Sequence, residues 1–319
     1  MVAGVLTFGG LVAFLEYTAR FFLPIRDLGA KYTVMQAAMV SAERVFGLLD
    51  TKPRIVSSPE AIHPAVTAPR AVDAPAVELR HVWFAYEGEQ WVLRDCSFTV
   101  APGERVALVG PTGEGKTTIA RLMIRAYDVT RGQVLADGVD VREWQLETLR
   151  RHVGLIPQEP FLFSGTVEDN LVLAAGGVRD EPTVMRALAG ANADRFVTAL
   201  PRGLGEELRE RGVNLSQGQR QLLAIARAII YNPRVLALDE ATSSIDPESE
   251  ALVRAGLARL MEGRTSVVIA HRLSTIQRAD RILVLHRGRI REAGGHAELL
   301  AQGGLYSRLH ELQFGLGRA

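Results

Sequence analysis

The run Gly110-Pro111-Thr112-Gly113-Glu114-Gly115-Lys116-Thr117 leaves this chain few folds to choose from. It satisfies G-x-x-x-x-G-K-[ST], a pattern that a chain of this length meets by chance on the order of one time in a hundred at ordinary residue frequencies. Its context is equally specific. Arg105-Val106-Ala107-Leu108-Val109 precedes it, short, apolar and bounded by Pro102-Gly103, and reads as a buried strand. Ile119, Leu122, Met123 and Ala126 follow at helical spacing. Strand, glycine loop and helix in that order let backbone N–H groups close on phosphate oxygens at the positive end of a helix. Lys116 then reaches the terminal phosphates, and the Thr117 hydroxyl is placed to ligate Mg²⁺. Residues Gly110 to Thr118 are the expected ATP-binding run.

Organisation on either side follows from patterning. Met1 to Leu15 carry no charge, Glu16 and Arg20 interrupt, and Phe21-Phe22-Leu23 resume. The uncharged run falls short of the roughly 18–20 residues of a spanning helix. A signal peptide, a soluble amphipathic helix and the final membrane helix of a longer protein are the three readings. The first is weak for want of a basic start and a cleavage site. In the third, Arg26 and Lys31 set the C-terminal side in the cytoplasm. Val34, Met35, Ala38, Met39, Ala42, Val45, Phe46 and Leu49 make a helical stripe that continues the first helix. Prolines at 53, 59, 64, 69 and 75 mark residues 51–76 as an extended linker. From Val77 onward strands are expected at 77–86, 92–100, 105–109, 153–156, 235–239, 265–270 and 282–286, with tight turns at Asp137-Gly138 and Arg287-Gly288. The fold class is α/β, layered around a mostly parallel sheet.

A net charge of +1 without a basic block gives no reason to invoke nucleic acid. The basic residues are nearly all Arg, with Lys only at Lys31, Lys52 and Lys116, as a GC-rich genome would produce. The single cysteine, Cys96, excludes an intramolecular disulfide and sits in an apolar stretch that suggests packing.

Two further constellations carry chemistry. Val235-Leu236-Ala237-Leu238 ends in Asp239-Glu240, and paired acids at the end of a buried strand are costly without a purpose. Beside a phosphate loop the purpose is clear: Asp239 in the Mg²⁺ shell and Glu240 polarising water. Leu215-Ser216-Gln217-Gly218-Gln219 opens a helix with Leu222, Ile225, Ala226 and Ile229 on one face. Ser216 and Gln219 form an S-x-x-Q capping box, so the run is a well-capped helix start that also offers N–H groups to an anion.

With these motifs in this order, residues 77–319 resemble the nucleotide-binding domain of ATP-binding cassette (ABC) transporters of the exporter type. Leu215 to Gln219 resembles the signature LSGGQ. Pro24-Ile25-Arg26-Asp27-Leu28 and Glu43-Arg44-Val45-Phe46 resemble the last membrane helix of an exporter subunit and its cytoplasmic extension, residues 1–50. The resemblance implies a P-loop cassette with a RecA-like core, an antiparallel β subdomain and an α-helical signature subdomain. It implies ATP and Mg²⁺ as ligands, Tyr86 stacking on adenine, and Gln158 touching Mg²⁺ beside the contact with the membrane domain. It also implies that Asp246 lies on a loop crossing to the partner subunit and that His271 is a switch on the γ-phosphate. Glu210-Arg211-Gly212 resembles an exporter element that contacts the helices between membrane domains. Gln217 replaces the usual glycine of the signature, which completes the partner's ATP site. Glu114 fills a variable position of the phosphate loop, so its carboxylate must turn away from the triphosphate or meet a cation. Ile245 replaces the usual leucine.

The expected function is an ATPase motor domain of an exporter in the cell membrane, its cassette cytoplasmic, paired with a second half-transporter. That pairing is homodimeric or, as Gln217 favours, heterodimeric. A stand-alone or truncated nucleotide-binding protein and a soluble ABC ATPase are the alternatives. The transported substrate is not legible.

Overall fold

A computed structural model describes residues 7–62, 74–173, 180–239, 246–270 and 273–314. By contact the chain divides into two units, Met1–Arg54 and Ile55–Ala319.

The first unit is one helix, α1 (Phe8–Leu49), of 42 residues, roughly 63 Å long at 1.5 Å per residue. The Thr7 hydroxyl caps it by accepting from Gly10 N–H at 3.2 Å. The two apolar stretches are therefore one continuous element, passing through Pro24. It is long and apolar enough to cross a membrane, and none of its residues is buried, so Phe14, Phe21, Phe22 and Leu28 stand open. Several of its polar side chains are satisfied from within. Glu16 and Arg20, which interrupt the apolar run, pair with each other at 2.8 Å. The hydroxyls of Thr18, Thr33 and Ser41 donate to the carbonyls of Phe14, Gly29 and Ala37 one turn back. A helix that must lie in hydrocarbon requires this internal satisfaction.

The second unit runs β1 (Val77–Ala85), β2 (Trp91–Val100), β3 (Arg105–Val109), α2 (Lys116–Met123), β4 (Arg131–Ala136), β5 (Val139–Asp140), α3 (Leu146–His152) and β6 (Val153–Ile156). It continues through β7 (Gly165–Thr166), α4 (Val167–Val172), α5 (Glu181–Gly190), α6 (Asp194–Ala199), β8 (Glu207–Leu208), α7 (Gln217–Tyr231) and β9 (Val235–Asp239). It ends with α8 (Pro247–Met261), β10 (Thr265–Ile269), α9 (Leu273–Gln277), β11 (Arg281–His286), β12 (Arg289–Gly294), α10 (His296–Ala301) and α11 (Leu305–Phe314).

The main sheet has the order β12-β11-β3-β10-β9-β6, parallel except for the antiparallel edge strand β12. A second, antiparallel sheet has the order β2-β1-β4-β5. Both faces of the main sheet are covered, which is why its strands read as unbroken apolar runs. Side-chain alternation assigns each strand to two cores. Ala107, Val109, Leu236, Leu238, Val268, Ile282 and Val284 face helices α4 to α8. Val106, Leu108, Val235, Ala237, Val267, Leu283 and Leu285 face α2 and the antiparallel sheet.

The seven expected strands are present, within a residue at their ends. Both expected turns are hairpins: Asp137 (φ 50°) with Gly138 (φ 82°) joins β4 to β5, and Arg287 (φ 50°) with Gly288 (φ 72°) joins β11 to β12. Two expectations change. The helix after the phosphate loop stops at Met123, because Arg125 turns to φ 48°, so Ala126 lies outside it. The linker is also not wholly free. Ile62 bridges the segment at Trp144, donating to Glu143 O and accepting from Gln145 N–H, both at 2.9 Å. The Ser57 hydroxyl accepts from Leu146 N–H at 2.9 Å. Proline content announces an extended chain but not what that chain lies against.

Cys96 is 0% exposed in the core between the two sheets. Burial, with Asp95 adding to it, pushes its thiol up to about 12, leaving roughly one thiolate in ten thousand at pH 8. A disulfide reagent at pH 8 is expected to leave the folded protein unlabelled over hours and to titrate one thiol at once in urea.

Candidate functional site

The phosphate loop joins the C-terminal end of β3 to the N-terminus of α2, and its glycines are there for two different reasons. Gly110 passes so close to β11 that a β-carbon would overlap the Leu285 carbonyl oxygen. Gly113 (φ 86°) has open space around it and is required by backbone conformation alone. Gly115 (φ 102°) caps α2 in the left-handed region and closes on the side chains of Val92 and Leu93. The Lys116 side chain, 6% exposed, folds back along the loop. Its ammonium donates to Gly110 O at 2.7 Å and Pro111 O at 2.8 Å. Burial lowers its pKa, and the charges of Asp239 and Glu114 act against that shift. Glu114 turns away from the loop interior. Its carboxylate accepts from Arg287 N–H and lies 3.3 Å from His286 Nδ1. Its partners are thus a backbone donor and an imidazole of the β11–β12 hairpin.

Thr117 and Asp239, 122 residues apart, meet: the hydroxyl donates to Asp239 Oδ2 at 2.8 Å. Parallel pairing of β9 with β10 and of β10 with β3 brings the ends of those strands to one edge. Two hard oxygen donors in contact, next to a phosphate cradle, fit a Mg²⁺ ion. Tyr86 lies just beyond β1, its hydroxyl 3.0 Å from Thr118 Oγ1, and the residue is 42% exposed. Gln158 is exposed after β6, and its backbone carbonyl accepts from Gln221 Nε2 at 2.7 Å. Glu240 and His271 lie outside the described residues, as does Ile245.

The run 215–219 is built as its spacing predicts. Ser216 Oγ accepts from Gln219 N–H at 3.2 Å, and Gln219 Oε1 accepts from Ser216 N–H at 2.9 Å. The reciprocal pair caps α7, whose Leu222, Ile225 and Ala226 are buried. Leu215 and Gly218 are buried, Ser216 is exposed and Gln217 is half-buried. Glu210 and Arg211 are exposed on a short turn with Arg211 at φ 59°. Asp246 caps α8 by accepting from Ser249 N–H at 2.9 Å, which holds its carboxyl below the usual range.

Gln221 is a residue the motif reading passed over. It is 5% exposed and joins the signature helix to the Gln158 loop. A polar residue at i+3 from Gly218 and i−4 from Ile225, on an otherwise apolar face, was the available signal. Arg227, one and a half turns on, reinforces the link by donating to Phe161 O at 3.1 Å and Asn170 O at 2.8 Å.

The chain has relatives among known proteins. Residues 93–243 match the family model described as ABC transporter. The chain is 43% identical over 311 residues to the uncharacterized ABC transporter ATP-binding protein YfiC of Bacillus subtilis, covering 98% of this chain and 50% of that protein. It is 47% identical over 312 residues to the ATP-dependent lipid A-core flippase of Burkholderia pseudomallei, covering 97% and 50%. Among solved structures, a bacterial Atm1-family ABC exporter with ATP bound superposes with a TM-score of 0.77 at 37% identity, over 98% of this chain and 54% of that one. The chain therefore spans about half the length of the relatives it matches.

The two classes of glycine separate by mutation. Gly110→Ala, which collides with rigid backbone, is expected to destabilise the protein by at least about 2 kcal/mol. Gly113→Ala should cost about 1 kcal/mol, the left-handed penalty alone. Urea unfolding of the two variants beside the parent measures the difference.

Proposed function

The chain belongs, by its cassette, to the ABC transporter family, and from that premise we propose that it is the ATP-hydrolysing motor portion of an exporter half-transporter. The observation that carries the proposal is the meeting of Thr117 with Asp239 beside the Lys116 loop, in a chain that also presents a capped signature helix. In this reading residues 1–50 are the last membrane helix and its cytoplasmic extension. Residues 51–76 are the linker and 77–319 the cassette. Two cassettes in the membrane, cytoplasmic side, enclose two ATP molecules, each between one phosphate loop and the other subunit's signature.

The roles are assigned as follows. Backbone N–H groups of Gly113 to Thr118 and the Lys116 ammonium bind the β- and γ-phosphates. Lys116 must exchange its two loop carbonyls for phosphate oxygens to do so, and burial makes its charge the more effective there. Thr117, Asp239 and Gln158 hold Mg²⁺, which neutralises phosphate charge when bound. Tyr86 stacks on adenine. Glu240 polarises the attacking water, and His271 senses the γ-phosphate. Most of the rate enhancement comes from positioning and from fixed charge.

A groove of about 560 Å³ beside Pro157, walled by Leu155, Phe161, Phe163, Ala228 and Tyr231, supports coupling to a membrane domain. Phe161 and Phe163 are 46% and 51% exposed at its mouth. It is apolar, it adjoins the Gln158 loop, and α1 marks the chain as one with membrane helices for neighbours. A short cytoplasmic helix of the membrane domain is the occupant we assign. Gln217, half-buried at the signature, favours a partner subunit different from this one.

Glu240→Gln is expected to retain ATP binding and to lower turnover at least about a hundredfold. Nucleotide binding and phosphate release, measured on the same sample, test it. Turnover unchanged from the parent would remove Glu240 from its role.

A further inference from the structure

The segment that follows α2 reads Arg125-Ala126-Tyr127-Asp128, and nothing in its pattern marks a function. Folding brings Tyr127 onto Tyr86, 41 positions earlier in the chain by number. The two ring centroids are 5.1 Å apart with their planes at 88°. Phe84 is the third member, 4.9 Å from Tyr86 at 85° and 5.7 Å from Tyr127 at 59°. Phe84 is 3% exposed and belongs to the core between the sheets, whereas Tyr127 is 40% exposed. Both neighbours stand nearly perpendicular to Tyr86. Among the described residues no ring lies parallel to it, and 42% of the residue remains open. Edge-to-face contacts of this kind hold a ring's plane.

Tyr127 is itself held firmly. Arg125, 7% exposed, donates to Asp128 Oδ1 at 2.8 Å and to Arg142 O at 3.1 Å. Ala126 N–H donates to Arg121 O at 2.8 Å, and Thr130 N–H to Trp83 O at 3.0 Å. The loop is thereby tied to α2 at one end and to β1 at the other. The Tyr86 hydroxyl meets Thr118 Oγ1 at 3.0 Å, so the ring is fixed at its tip as well as its edges. The Tyr127 hydroxyl has no hydrogen-bond partner among the described residues, so what it contributes is its ring.

We propose that Tyr127 is a positioning residue for nucleotide binding: braced by the Arg125–Asp128 loop, it holds the Tyr86 ring in the plane in which it stacks on the base. The inference rests on the reading of Tyr86 as the adenine platform and adds a residue that acts through it. A platform whose orientation is fixed before binding loses less freedom when the base arrives. Removing the prop therefore weakens the base contribution and leaves the phosphate contribution as it was.

The test is a binding titration of the full chain in detergent micelles with MgATP and, separately, with Mg-tripolyphosphate, which has phosphates and no base. Tyr127→Ala should weaken MgATP binding about three- to tenfold and leave tripolyphosphate binding within twofold. Tyr127→Phe should restore parental ATP affinity, and Tyr127→Leu, which refills volume without a ring, should not. An unchanged ATP affinity in both Tyr127→Ala and Tyr127→Leu overturns the proposal. So does an equal loss for the two ligands, which marks general damage to the site. Tyr86→Ala separates the premise from the inference. If it weakens ATP alone, the platform reading stands and the Tyr127 variants decide the prop. If it changes nothing while Tyr127→Ala still weakens ATP, Tyr127 meets the base directly and the proposal falls with the platform reading.

Discussion

Strand β3 ends in the phosphate loop, and the surrounding structure holds that end in place. The strand lies between β10 and β11, hydrogen-bonded in parallel to each. Val106 and Leu108 are locked into one core, Ala107 and Val109 into the other. Such a strand has no freedom to shift, so the first loop residue leaves it from a fixed point. Gly110 then passes against the Leu285 carbonyl, where no side chain fits. Loop conformation follows from a rigid exit, a backbone neighbour and a buried lysine that bonds two of the loop's own carbonyls.

From that fixed point the other parts are gathered by topology. Parallel strands deliver their C-terminal ends to one edge of the sheet, where open α/β folds bind their ligands. Asp239 arrives on β9 and touches Thr117 on α2. The β11–β12 hairpin receives Glu114, keeping a carboxylate out of the space the phosphates need. The signature helix α7 enters through Gln221, whose amide reaches Gln158 O. This buried bond and the Arg227 guanidinium on Phe161 O tie α7 to the segment that follows β6.

The legible parts of the sequence are those where one local rule suffices. Strands β3, β9, β10 and β11 read directly because both of their faces are buried and polar residues stand only at their ends. Strand β12 does not, since Arg289, Arg291 and Glu292 leave no apolar run and its existence depends on pairing with β11. Strand β4 pairs with β1 near Gly132, a glycine that a strand pattern discourages; a β-carbon there would meet the backbone of His81. The Ser216–Gln219 cap was legible because both partners lie within one turn. Gln221 to Gln158 and Tyr127 to Tyr86 were not, because neither partner's neighbourhood in sequence mentions the other.

Residue order alone settled the phosphate loop, the capped signature helix, the acid-ended strand, the apolar N-terminal helix and hence the cassette class. Each is a pattern over a few adjacent residues whose energetics are local. Folding in three dimensions settled which of these meet: Thr117 with Asp239, Glu114 with the β11–β12 hairpin, the linker at Ile62 with Trp144, and Tyr86 with Tyr127. These contacts join segments separated by tens of residues or more. They exist because close packing of two cores leaves each side chain a single place to go, and a motif of eight residues holds no information about that.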